Sequence, residues 1–194
     1  MEEDIRSLCN PGDFFVIACD KGFSYAEKQN ISCNLVIGDF DSYIGDIPEQ
    51  AVILPHEKDD TDTMFAIKTA IERGMTSILL VCASGGRIDH FYSNLQSLVY
   101  AAKRGVRAVL KDGNNTVTVL VNEERSFDRK EKSFLSVLSW SDVSEGVKIK
   151  GTLYEVEDAF LENGFPLGQS NEWVSDQALV SVRKGILLVI ESRQ

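Results

Sequence analysis

Five short runs, at residues 14–18, 35–37, 52–54, 78–81 and 108–110, are apolar throughout instead of alternating, and helical patterns fall between them. A strand that is apolar on both faces has to be covered on both faces. This part of the chain is therefore expected to form an α/β layer around a mostly parallel sheet. Met64, Ile67 and Ile71 line one stripe of a helix predicted over 61–73 and closed by Gly74. Phe91, Leu95, Leu98, Val99 and Ala102 line a second over 89–104, which ends in Lys103-Arg104-Gly105.

Beyond Val121 the pattern changes. Residues 122–132 read as a charged connector, and 134–139, 147–150, 178–182 and 186–192 read as short strands separated by turns bearing Gly, Ser and Asp. The expected organisation is two domains, an α/β domain over 1–122 and an all-β domain over 123–194.

At 194 residues, with 43% hydrophobic and 26% charged, the chain can bury one sizeable core or two small ones. Its formal net charge of -10 and lack of Lys/Arg clusters argue against nucleic acid as a partner. A nucleotide is still compatible with such a chain if a divalent metal and a few placed cations neutralise its phosphates. The same negative field favours a cationic co-substrate. The N-terminal Met-Glu-Glu-Asp has no positive flank or apolar stretch, and no apolar run approaches the roughly 20 residues that span a bilayer, so a cytoplasmic location without a membrane partner is expected. Cys9, Cys19, Cys33 and Cys82 show no C-x-x-C pair and read as reduced, buried thiols, not as a zinc site.

The chemistry concentrates where apolar runs end. Gly38-Asp39-Phe40-Asp41-Ser42 follows the run at 35–37, in the position where open α/β sheets bind ligands. Two carboxylates one residue apart can converge on a hard cation such as Mg²⁺, although a solvated Asp-rich turn has the same composition. Lys58-Asp59-Asp60-Thr61-Asp62-Thr63 enters the first helix. Asp60 or Thr61 would serve as an ordinary N-cap and Asp62 as a first-turn carboxylate, but Lys58 ahead of a helix suits a phosphate better than it suits the helix dipole.

Ser84-Gly85-Gly86-Arg87-Ile88-Asp89-His90 leads from a strand into the second helix. Its glycines let backbone N–H groups approach an anion, and Arg87 offers bidentate contacts to phosphate; a plain turn with Asp89 as N-cap is the alternative. No Walker A pattern is present. Asp20 and Gly22 form a fourth strand-end turn. His56 and His90 flank two of these loops and read as structural. Gly168-Gln169-Ser170-Asn171-Glu172-Trp173 is the only dense polar cluster of the C-terminal half, and by composition it is a loop with Trp173 in the core.

Taken in order and spacing, these loops with Asp20-Lys21-Gly22, Gly151-Thr152-Leu153-Tyr154 and Ser170-Asn171-Glu172 resemble the bacterial thiamine pyrophosphokinases over nearly the whole chain. The resemblance implies an ATP- and metal-binding α/β domain joined to a β-sandwich that binds thiamine and dimerises, with active sites between the two subunits of a homodimer. It implies Asp39, Asp41 and Asp62 as Mg²⁺ ligands. Asp20, Gly22, Lys58, Asp59, Thr61, Gly86, Arg87 and Asp89 are implied for the nucleotide site, and Tyr154, Ser170 and Asn171 for thiamine. The family pattern departs in two places. Residues 1–13 are too short and polar for the strand and glycine turn usual upstream, which leads one to expect a shortened sheet edge, and Lys21 stands where glycine is often found.

The implied reaction transfers the terminal pyrophosphate of ATP to the hydroxyl of thiamine, with AMP leaving. Catalysis would consist of positioning and charge neutralisation, with Lys58 and Arg87 joining the three aspartates and Tyr154 walling the thiazolium cation. Asp59 and Asp89 are candidates for a general base. Two rivals follow from the same residues. One is a phosphatase of the haloacid-dehalogenase type with Asp39 as nucleophile, and the other is a non-catalytic module that senses nucleotide or thiamine.

Overall fold

The computed structural model describes residues 4–40, 47–48, 51–55 and 59–193. A helical turn, α1 (Ile5–Leu8), and a 3-10 turn at Pro11–Asp13 precede β1 (Ile17–Cys19). Then come α2 (Lys21–Lys28), β2 (Leu35–Gly38), β3 (Ala51–Ile53), α3 (Asp62–Glu72), β4 (Ser77–Val81), α4 (Ile88–Ala102), β5 (Arg107–Lys111) and β6 (Asn115–Val121). The rest is strand: β7 (Glu124–Asp128), β8 (Ser133–Ser139), β9 (Val143–Lys150), β10 (Val156–Glu162), β11 (Asn171–Glu172), β12 (Gln177–Ser181) and β13 (Ile186–Arg193).

The described strands form three sheets. β1-β2-β3 is wholly parallel, and β2 has the burial its sequence demands: Val36 packs with Ala18 and Phe23 of α2 on one face, while Ile37 packs with Leu54 and Ala66 of α3 on the other. A six-stranded sheet runs β11-β8-β13-β6-β5-β4, in which β4 and β5 are parallel and the remaining pairs antiparallel. Four strands, β10-β9-β12-β7, make the third, antiparallel throughout. Among the described residues the parallel strands thus fall into two blocks, and the antiparallel β6 closes the second.

Side-chain alternation lets β6 and β13 serve two cores. Leu187 and Val189 point into the sandwich with Leu120, Leu135, Val137, Val147 and Val180, while Leu188 and the partly buried Ile186 and Ile190 join Val117, Val119 and the α4 residues Leu95, Leu98 and Val99. Trp140, in the β8–β9 turn, stacks on Tyr92 of α4 with ring centroids 5.5 Å apart. The sheet therefore runs unbroken past residue 122.

Several local readings change. The charged connector at 122–132 holds β7, which pairs with β12 and buries only Phe127; a strand at a sheet edge carries charges outward, and that hides it from an apolar-run reading. β10 escaped for the same reason. β1 begins at Ile17, leaving Phe14 and Phe15 exposed. Gly22 lies inside the first turn of α2, not in a loop. The four cysteines are thiols outside any disulfide, but half-buried instead of buried. Among the described residues no helix is long and apolar enough to cross a membrane.

Candidate active site

The carboxyl ends of β1 and β2 are in register, with Cys19 opposite Ile37, so Asp20 and Asp39 emerge from neighbouring strand ends. Asp20 takes φ 45° and ψ -120°, and its N–H donates to the Ile37 carbonyl at 3.0 Å. Phe40 and Cys82, just past the ends of β2 and β4, also have positive φ (56° each), as does Gly86 (81°). Backbone held in this region by non-glycine residues is characteristic of ligand-facing loops, where surrounding structure enforces it.

Gly38 explains how Asp20 fits. A Cβ at position 38 would lie 2.5 Å from Asp20 Oδ1, so the carboxylate occupies the space that a side chain would fill. α3 is docked against the same point: the Cys19 thiol donates to the Asp62 carbonyl at 3.6 Å. Thr61, not Asp60, is the N-cap of α3, accepting from the Met64 N–H at 3.2 Å, which places Asp62 in the first turn. Three acid-bearing segments, at Asp20, Asp39 and Asp62, thus meet at one end of the three-stranded sheet. Asp41 and Lys58 lie outside the described residues, as does His56. Among the described residues no set of three His, Cys, Asp or Glu side chains is gathered closely enough to hold a metal by itself, so the proposed set depends on Asp41.

Asp59 is exposed. Asp60 is turned away to Lys68, whose ammonium donates to both carboxylate oxygens at 2.8 and 2.6 Å and lies 5.9 Å from the Tyr100 ring centroid. This lysine, unmarked by any motif, braces the loop that carries Asp59 and Thr61. At the next strand end, Arg87 occupies the N-cap position of α4 without a side-chain cap bond, and its Nε donates to Asp89 Oδ1 at 3.1 Å. Asp89 is therefore a partner of Arg87 in the first turn and not the N-cap. The guanidinium holds its carboxyl below the usual range, and the carboxylate in turn raises Arg87. Both side chains are exposed, and a guanidinium with five N–H groups keeps donors for a phosphate while bonded to one carboxylate.

Two further residues that sequence reasoning missed position this loop. Asn94 Nδ2 donates to the Ala83 carbonyl at 2.8 Å, tying α4 to the end of β4. Asp112 accepts from the N–H groups of Asn114 (2.9 Å) and Asn115 (2.6 Å) and from the Ser84 hydroxyl. Burial pushes its carboxyl up, but these bonds outweigh burial and leave it below the ordinary value. No sequence spacing links Asp112 to Ser84, because the pairing of β4 with β5 creates the contact.

In the sandwich, Tyr154 and Asn171 come together: Tyr154 N–H donates to Asn171 Oδ1 at 3.0 Å, and Asn171 Nδ2 donates to the Tyr154 carbonyl at 2.7 Å. Tyr154 is 71% exposed and Asn171 4%. Ser170 is exposed with φ 55°, and its N–H donates to Ser136 Oγ at 2.9 Å. Trp173 is in the sandwich core, as its sequence context suggested, with Nε1 donating to Ser133 Oγ.

An α/β half with acidic strand ends shares a sheet with a β-sandwich, and comparison with known proteins gives this two-part arrangement a family. The family model for the thiamin pyrophosphokinase catalytic domain matches residues 9–110, and that for the thiamin pyrophosphokinase vitamin B1 binding domain matches residues 117–187. The chain belongs to the thiamin pyrophosphokinase family. It is 29% identical over 184 residues to the thiamine pyrophosphokinase of Bacillus subtilis, covering 91% of this chain and 86% of that one. The crystal structure of the Bacillus subtilis protein superposes with a TM-score of 0.84 at 28% identity, covering 92% of this chain and 87% of that one. That of the Geobacillus thermodenitrificans thiamin pyrophosphokinase gives 0.83 at 25%, covering 98% and 91%. Neither the phosphatase nor the sensing reading finds support in these comparisons.

Proposed function

We propose that this chain carries out its family's reaction at the shared end of β1, β2 and α3, with residues 1–122 serving ATP and metal and 123–194 serving thiamine and subunit assembly. The enzyme moves the pyrophosphate of ATP onto the hydroxyl of thiamine, giving thiamine pyrophosphate and AMP. The observation that carries the placement is that Asp20 and Asp39 leave neighbouring strand ends, with the Asp20 carboxylate in the space over Gly38, while the Cys19 thiol ties the first turn of α3, which bears Asp62, to the same strand.

An all-oxygen donor set of this kind suits Mg²⁺, and Asp39, Asp41 and Asp62 would hold it. When bound, Mg²⁺ neutralises phosphate oxygens and fixes the chain of phosphates for in-line attack. Arg87 presents N–H donors to the phosphates while Asp89 orients it, and Lys58 adds a second cation. Asp20, Gly22, Asp59, Thr61 and Gly86 shape the nucleotide site around them. Tyr154 supplies an exposed aromatic face for the thiazolium ring, and Ser170 an exposed hydroxyl. Neutralising and aligning the reactants accounts for most of the catalysis that such a transfer needs.

We place the thiamine half of each site on the partner subunit of a homodimer. Large apolar side chains left exposed on the sandwich, among them Leu153, Tyr154, Phe160, Phe165, Leu167 and Val174, support a partner surface there. The metal assignment is tested by Asp39→Asn, Asp41→Asn and Asp62→Asn, which keep side-chain volume and remove charge. Each should lower turnover by at least about a hundredfold, the scale of losing a charge-stabilising group, with the thermal melt in place. Full activity of all three at ordinary Mg²⁺ would remove the site.

A further inference from the structure

The turn that carries Tyr154 is held by side chains that have almost no access to solvent. Asn171 is 4% exposed and Thr152 1%, against 71% for Tyr154 between them. Both N–H donors of the Asn171 amide are spent inside the protein, one on Thr152 Oγ1 at 3.0 Å and one on the Tyr154 carbonyl at 2.7 Å, and its oxygen accepts from the Tyr154 N–H at 3.0 Å. One side chain thus takes up both backbone groups of Tyr154. Thr152 bridges to Trp173, and the Leu153 N–H donates to the Glu172 carbonyl at 2.9 Å, so the turn is pinned to the end of β11 just ahead of the tyrosine. Gly151 (φ 80°) starts the turn, with the Gln177 carbonyl oxygen 2.2 Å from where a Cβ would lie.

We propose that Asn171 and Thr152 are positioning residues that act on thiamine only through Tyr154, setting its backbone so that the ring stands ready as a flat wall. This rests on the reading above that Tyr154 faces the thiazolium cation. A buried amide with its donors already used has none to offer a ligand, and an exposed ring on a loosely held turn would lose ordering entropy each time it bound. Presetting the turn moves that loss from binding to folding.

A double-mutant cycle on the intact enzyme tests this. Asn171→Ala and Thr152→Val should each raise KM for thiamine, roughly tenfold for the loss of buried bonds to the turn, with KM for ATP unchanged. Thr152→Ser, which keeps the hydroxyl, should restore most of it. Combined with Tyr154→Ala, neither substitution should weaken thiamine binding beyond what Tyr154→Ala does alone, because the group through which it acts is gone. Should Asn171→Ala fail to fold, the Thr152→Val arm completes the cycle. Additive effects in the double variant would mean that Asn171 or Thr152 acts on thiamine independently of Tyr154, and would overturn the proposal while leaving Tyr154 in the site. A Tyr154→Ala enzyme with unchanged KM for thiamine would overturn both.

Discussion

Single residues show most clearly which parts of the site are geometric. Gly38 and Gly168 look alike in the sequence, each a glycine beside a polar motif, but the same substitution meets different obstacles. A Cβ at 38 would meet the end of the Asp20 side chain at 2.5 Å, whereas a Cβ at 168 would meet the Val137 carbonyl oxygen at 2.1 Å. A side chain can swing away and a strand backbone cannot. Gly38→Ala is therefore expected to keep its thermal melt and lose activity as Asp20 is displaced. Gly168→Ala should lose about 1–3 kcal/mol of stability, the range for forcing extra volume into packed structure, as read by urea denaturation. The motifs made the acidic loops legible in the sequence, because aspartates and glycines at strand ends have few other reasons to be there. Lys68, Asn94 and Asp112 stayed invisible: each acts on a loop through a contact that exists only once helices and strands have docked.

At the scale of elements, apolar runs and helical stripes located β2, β4, β5, α3 and α4 to within a few residues, because burial on both faces leaves no alternative composition. What composition could not mark were the elements with little buried surface. α2 buries only Phe23 and Ala26 in eight residues, and β7 only Phe127. Connections between elements carry a pH signature as well. The Asp112 carboxylate ties the β5–β6 turn to Ser84 at the end of β4, and its folded value lies below its unfolded one. Its contribution to stability is therefore present above the ordinary carboxylate range and lost as pH falls through it. Asp112→Asn should lower the melting temperature at neutral pH and bring the variant closer to the parent under acid; an equal gap at both would remove this role.

For the whole molecule, sequence reading separated an α/β half from an all-β half, and among the described residues every element after Val121 is a strand. It gave no sign that β6 and β13 lie in one sheet and feed both cores, since an antiparallel strand arriving from the chain's end leaves no local trace. Assembly is the level at which the proposed site becomes complete. If metal loops of one subunit face Tyr154 of the other, an inactive Asp62→Asn chain and a Tyr154→Ala chain weakened in thiamine binding, mixed and reassembled, should recover at low thiamine roughly a quarter of parental sites by random pairing. Demonstrated subunit exchange without recovery would mean that each chain builds its own pocket.

The central claim concerns which bond of ATP is broken. Transfer of pyrophosphate requires attack at the β-phosphorus, so ATP, Mg²⁺ and thiamine incubated with the enzyme should yield AMP and thiamine pyrophosphate in equal amounts, with neither ADP nor phosphorylated protein. Formation of ADP with thiamine monophosphate, or release of phosphate without thiamine, would contradict it.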